Sequence, residues 1–139
     1  IFFVYGPGQR EKSLVPFIIN SFKLNERVLL NNPFNSHDFI YIQDVVDAIK
    51  NSVDKEIESG IYNLGTGRGV NVYSICKIVA SILNSSHLLP DVENERKDKI
   101  LTSQSFWADM EKTYLALQWK PSVSLQDGIR TFVEYRKTM

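Results

Sequence analysis

The chain has 139 residues, of which 43% are hydrophobic and 23% charged, enough apolar material for one domain with a core of its own. Its 16 basic residues balance 16 acidic ones, which argues against broad, charge-driven binding to nucleic acid or to an anionic membrane surface. No apolar run approaches the roughly 18–20 residues that cross a bilayer, no charged-then-apolar leader opens the chain, and the single cysteine has no internal disulfide partner, so a cytoplasmic protein is expected.

Ile1 to Tyr5 is continuously apolar, which predicts a strand buried on both faces, as inside a parallel sheet. Such a strand at the first residue, without an initiator Met, suggests a piece cut from something longer; processing that leaves a complete domain is the alternative. Gly6-Pro7-Gly8-Gln9 ends the strand. Leu14 to Leu24 has helical spacing, with Leu14, Phe17, Ile18 and Phe22 on one face, Ser13 as cap and Pro16 tolerated in the first turn. Val28-Leu29-Leu30 reads as a short strand and the Asn-rich 31–36 segment as a loop.

The run from Ser36 to Ile49 organises the rest. Phe39 and Tyr41 alternate with Ile40 and Ile42, which predicts a short strand. Asp44 is positioned to cap a helix whose apolar face is Val45, Val46, Ile49 and Val53. A charged connection leads to a predicted strand at Ile61 to Leu64 and the turn Gly65-Thr66-Gly67-Arg68-Gly69. Asn71 caps a helix carrying Val72, Ile75, Val79, Ile82 and Leu83 inward, and Cys76 within it reads as a small core residue. Leu88-Leu89 and Ile100 to Thr102 are further strand candidates, with the charged segment Glu93 to Lys99 between them. Asp109 caps a helix to about Leu117, and Ser124-Leu125-Gln126-Asp127 resembles a capping box ahead of a last helix with Leu125, Ile129, Phe132 and Val133 inward. This alternation predicts a mixed α/β fold in one domain, 1–139.

Chemistry is sparse in the residues themselves. Gly65 to Gly69 lacks the G-x-G-x-x-G spacing and the later acid of a dinucleotide site, so a tight structural turn is favoured over direct ligand contact. His37 beside Asp38 is a candidate acid–base pair, although neighbours on an extended chain point to opposite faces. Two histidines and one cysteine, widely spaced, predict no metal site.

Five motifs in order nevertheless form a pattern: Val4-Tyr5-Gly6-Pro7-Gly8-Gln9, Leu14-Val15-Pro16, His37-Asp38-Phe39-Ile40-Tyr41-Ile42-Gln43-Asp44, Tyr62-Asn63-Leu64-Gly65-Thr66-Gly67 and Leu117-Gln118-Trp119-Lys120-Pro121. The series resembles the C-terminal half of the extended short-chain dehydrogenase/reductase family, the NAD-dependent nucleotide-sugar epimerases, dehydratases and 4-ketoreductases. The resemblance implies the last part of a Rossmann-type sheet plus a small mixed α/β substrate-binding subdomain. It implies that the cofactor-binding half and the catalytic Tyr-x-x-x-Lys pair lie outside this chain, so no catalytic residue is expected here. NAD or NADP would belong to the full-length parent, with little or no binding by this chain alone.

By position, the resemblance implies that Phe2, Phe3 and Tyr5 border the cofactor. It places Leu14, Val15 and Pro16 against the nucleotide. His37 and Arg96 would hold the diphosphate, with Arg68 assisting, because a guanidinium fork matches phosphate oxygens. The implied partner is a nucleotide sugar, and an orphaned sheet edge predicts a homo-oligomer. This sequence has Phe3 where many members have Asn and His37 where they have Arg. It has Arg96-Lys97-Asp98-Lys99 for Arg-x-Gly-Asp and Gln118 for the Gly of Leu-Gly-Trp. Phe3 leans the resemblance toward an epimerase or 4-ketoreductase.

Overall fold

The computed structural model describes residues 1–92 and 104–137. In chain order the elements are β1 (Phe3–Tyr5), α1 (Leu14–Lys23), β2 (Ser36–His37), β3 (Phe39–Tyr41), α2 (Ile42–Asp54), β4 (Val70–Asn71), α3 (Val72–Leu83), a 3-10 turn (Ser86–Leu88), α4 (Glu111–Leu117) and α5 (Leu125–Tyr135). β1 and β3 pair in parallel, Phe3 opposite Phe39 and Tyr5 opposite Tyr41. A parallel pair needs a crossover connection, and α1 lies in it. β2 and β4 form a short antiparallel pair, Ser36 opposite Asn71 and His37 opposite Val70.

Three helices close over the parallel pair. Val15, Ile18, Ile19 and Phe22 of α1 share one core with Ile75, Val79 and Ala80 of α3 and with Ile129, Phe132 and Val133 of α5. Tyr5, Phe39 and Tyr41 supply the strand side of that core. Cys76 is fully buried in it, and burial pushes its thiol up to about 12, so it is an inert packing residue. The predicted caps at Asn71 and Ser124 are present: Asn71 Oδ1 accepts from Ser74 N–H and Ser124 Oγ accepts from Asp127 N–H. The Asp127 carboxylate accepts in turn from the Ser124 hydroxyl, in place of the Ser124 N–H that a capping box uses.

Several expectations are corrected. Val28 to Leu30 and Ile61 to Leu64 form no strand; Leu64 is tied to the sheet only through its carbonyl, which accepts from Phe2 N–H at 2.9 Å. Ser86–Leu88 is a 3-10 turn in place of a strand beginning at Leu88. The candidate strand at Ile100 to Thr102 lies outside the described residues. The opening strand is not buried on both faces, because only Tyr5 is buried while Phe3 is 40% and Ile1 68% exposed. On α2, Val45 and Ala48 turn inward but Val46, Ile49 and Val53 are exposed.

Asp44 does not cap α2. It sits within the first turn of the helix, buried, and its carboxylate accepts from Ser122 N–H and Oγ–H and from Val123 N–H. That anchors the Pro121–Ser124 segment, and so the start of α5, against α2. Asp38 does the same at the other end of β3. It has no exposed surface, and its two oxygens accept from Thr66 N–H (2.7 Å), Thr66 Oγ1–H (2.5 Å), Gly67 N–H (2.8 Å) and Ala108 N–H (3.1 Å).

Removing either carboxylate strands buried N–H donors that nothing else satisfies. Asp38→Ala and Asp44→Ala are each expected to lower stability by about 3 kcal/mol, whereas the exposed Asp54→Ala changes it by less than about 0.5 kcal/mol. Urea denaturation midpoints at neutral pH measure the difference; equal midpoints for all three would refute the anchoring roles.

Candidate functional site

The β2–β4 pair holds His37 beside the parallel sheet, where aromatic rings surround it. Phe3 from β1 stacks on the imidazole with centroids 4.3 Å apart at 25°. Phe106 meets it edge-on at 5.2 Å and 69°, and Phe39 more distantly at 6.2 Å. Phe106 is brought there by backbone pairing: its N–H donates to Ser36 O, and Ser36 N–H donates to Gln104 O. The Nδ1 atom of His37 is buried without a hydrogen-bond partner among the described residues. Burial pushes the His37 pKa below its ordinary value, so the ring is neutral at pH 7.

Phe3 and His37 of this group line a cleft of about 330 Å³. Its apolar lining comes from Phe3, Leu14, Phe17, Leu29 and Leu30, and its polar lining from Asn31, Asn32, Asn35 and His37. The combination of apolar walls and a few convergent amides is that of a site for a small polar molecule with a flat, partly apolar body. A larger hollow of about 480 Å³ lies between α2 and the 57–62 loop, but among the described residues only Glu58 and Tyr62 bring ionisable side chains to it.

The structure distributes the expected site residues unevenly. Phe3, Leu14 and His37 line the same cleft. Val15 and Pro16 are buried beneath it in α1. Phe2 borders a neighbouring open hollow with Phe3 and Phe106. Tyr5 is in the core, its ring against Tyr41 and its hydroxyl donating to Leu125 O at 3.3 Å. Arg68 lines a different cleft, of about 430 Å³, between the 66–70 turn and the 120–125 segment. Arg96 lies outside the described residues. The Asn31, Asn32 and Asn35 amides are further lining groups, and three Asn within five residues is the available sequence signal.

The Gly-rich turn owes its form to Asp38. A Cβ on Gly65 would stand 2.5 Å from Asp38 Oδ2 and 2.8 Å from the Ala108 Cβ, so the carboxylate reaches the turn only because Gly65 has no side chain. Gly67 has φ +73°, a backbone region that favours glycine. The N–H groups of Thr66 and Gly67 donate to Asp38, and that of Arg68 to Thr66 Oγ1. With those donors engaged, the turn does not fit the pyrophosphate of a dinucleotide. Among the described residues no group of His, Cys, Asp and Glu is arranged to hold a metal ion, and no helix is long and apolar enough to cross a membrane.

A Tyr-x-x-x-Lys spacing does occur, against the expectation of none, at Tyr73 and Lys77 of α3. The ammonium of Lys77 lies over the Tyr73 ring, 5.3 Å from its centroid. This is a helical i,i+4 contact on the ring face, and neither residue lines the His37 cleft.

Residues 1–65 match the profile of the NAD dependent epimerase/dehydratase family. Human dTDP-D-glucose 4,6-dehydratase is 25% identical over 135 residues, covering 95% of this chain and 39% of that protein. The crystal structure of UDP-glucose 4-epimerase from Thermotoga maritima with UDP-glucose is similar at 27% identity and a TM-score of 0.79, over 99% of this chain and 44% of that one. The UDP-glucuronic acid 4-epimerase of Bacillus cereus, in complex with UDP-glucuronic acid and NAD, shares the fold at 23% identity and a TM-score of 0.81, over 99% of this chain and 43% of that one. The mixed α/β arrangement is therefore that of a portion of the Rossmann-type epimerases, and the chain spans about 40% of the length of the curated relatives it matches.

The depressed His37 pKa carries a pH dependence with a definite sign. The unfolded ring binds a proton near 6.5 while the folded ring resists it, so stability falls as pH drops below about 6.5 toward the folded pKa. Denaturation midpoints measured between pH 8 and pH 5 are expected to decline, and His37→Phe is expected to flatten that decline. A His37 ring that titrates at or above 6.5 by NMR would contradict its burial among the aromatic rings.

Proposed function

We propose that this chain is the nucleotide-sugar-binding portion of an NAD(P)-dependent sugar epimerase, 4-ketoreductase or dehydratase. The observation that carries the reading is its likeness, over 99% of its length, to an epimerase crystallised with UDP-glucose. The cleft of Phe3, Leu14 and His37 supports it, since three residues expected to meet cofactor or substrate line one wall system. In this reading the Asn31–Asn35 amides take hydrogen bonds with the nucleotide, the leucines and Phe3 cover its flat faces, and His37 stands beside the diphosphate. A neutral imidazole is a weaker diphosphate partner than arginine, so Arg96 carries most of the charge pairing.

The chemistry lies elsewhere in this proposal. A bound NAD(P) would supply hydride transfer, yet the Gly-rich turn here does not fit its pyrophosphate. The Tyr73–Lys77 pair is engaged with itself on α3. The chain alone is therefore proposed to bind a nucleotide sugar without turning it over.

Titration calorimetry of the chain with UDP-, dTDP-, CDP- and GDP-sugars tests this. Binding of at least one is expected, and His37→Ala together with Asn35→Ala is expected to weaken it about tenfold, roughly 1.4 kcal/mol. Absence of binding to all four would overturn the proposal, and turnover with NAD or NADP by the chain alone would overturn its catalytic silence.

We also propose self-association. Ile49 and Val53, four residues apart on α2, are 49% and 79% exposed, and Ile61 is 87% exposed, apolar surface that a second copy could cover. Light scattering is expected to give a dimer or larger species, and a monomer at high micromolar concentration would count against it.

A further inference from the structure

The cleft that holds Arg68 shares no lining residue with the cleft of His37. It runs between the 66–70 turn, the Tyr114 ring of α4 and the 120–125 segment, with about 430 Å³ of space. Arg68 and Lys120 both line it, and no carboxylate does among the described residues. Among the described residues neither cation has an ion-pair partner, in contrast to Arg130 on Asp127 and Arg136 on Glu11. Lys120 rests its ammonium over the Tyr114 ring, 5.3 Å from the centroid.

A third donor stands nearby. The Tyr114 hydroxyl reaches Thr66 O only at 3.5 Å, a weak hydrogen bond that a better acceptor would displace. Burial and the neighbouring Asp38 raise the pKa of this phenol, against the opposing pull of Arg68, so it keeps its proton. The hydroxyls of Thr66, Ser122 and Ser124 are committed to Asp38, Asp44 and Asp127.

The rest of the lining is apolar: Phe39, Val70, Pro121, Val123 and Leu125. Both walls are fixed without a ligand. Asp38 holds the 66–67 backbone and Asp44 holds the 122–123 backbone. Two uncompensated cations on separately braced walls, beside an apolar floor, form a pre-organised anion receptor.

We infer that this cleft is a second binding site, for a small phosphomonoester whose dianionic head lies between Arg68 and Lys120 and whose ring-like body lies on Phe39 and Pro121. The inference does not depend on the nucleotide-sugar reading. The two cations match the two charges of the head, and the Tyr114 O–H supplies a directed hydrogen bond.

Phenyl phosphate is the probe, with inorganic phosphate and phenol as its two halves. Amide NMR titration of the chain is expected to move Gly67, Gly69, Tyr114 and Ser122 with phenyl phosphate, which binds at least tenfold more tightly than either half. An Arg68→Ala/Lys120→Ala variant is expected to bind it at least tenfold more weakly, with charge-preserving Arg68→Lys intermediate. Both side chains are exposed, so the variants are expected to keep the wild-type spectrum elsewhere. Excess UDP-glucose is expected to leave phenyl phosphate in place. No detectable binding, unchanged affinity in the double variant, shifts confined to the surroundings of His37, or displacement by UDP-glucose would each overturn the second site. Inorganic phosphate binding as tightly as phenyl phosphate would overturn the role of the apolar floor.

Discussion

A single buried carboxylate decides where most of the polar architecture goes. Asp38 sits between the two strands it separates, β2 and β3, with no exposed surface. Ionised and shut off from water, it is tolerable only if its oxygens are surrounded by donors. The donors come from residues 28 to 70 positions away: Thr66, Gly67 and Ala108. Satisfying one side chain therefore docks the Gly-rich turn on one side and the approach to α4 on the other. The turn then delivers Arg68 outward, and the β2–β4 pairing that follows sets His37 into its aromatic surroundings.

Asp44 repeats the device on the far side of β3, so that strand is flanked by two carboxylate anchors six residues apart in sequence. The first fastens the 66–67 backbone and the second the 122–123 backbone. The clefts of His37 and Arg68 thus arise on either side of the same braced strand region, without sharing a lining residue. A resemblance read from sequence groups Arg68 with His37 because both precede or follow signature motifs. The fold separates them because the turn that carries Arg68 is folded back on Asp38.

What the sequence revealed was what local rules govern. Asn71 and Ser124 cap their helices because a short polar side chain one residue before a helix meets N–H groups of its first turn. The inward faces of α3 and α5 follow from helical spacing, whereas on α1 the predicted Phe17 is 44% exposed and Val15 and Ile19 turn inward beside Ile18 and Phe22. Asp44 was misread for the same reason: it looks like a cap, but its partners at Ser122 and Val123 are 78 and 79 residues away. Periodicity also assigned Val46, Ile49 and Val53 to the core, since a helical stripe says that residues share a side, not that the side is covered. Val28 to Leu30 and Ile61 to Leu64 have strand composition without strand partners among the described residues. The surroundings of His37 were half legible: Leu14 and His37 stand in recognisable motifs, while Phe106, packed against the imidazole, arrives through backbone pairing with Ser36 that no local pattern announces.

The hydroxyl of Tyr5 finds its acceptor 120 positions later, at Leu125, on the helix that seals the core over the first strand. One hydrogen bond thus clasps segments that lie 120 positions apart. During synthesis the Tyr5 hydroxyl lacks this partner until Leu125 and α5 have left the ribosome. Contacts of such span make assembly slow and leave apolar surface open to chance encounters meanwhile. The hazardous interval is the one before α5 emerges.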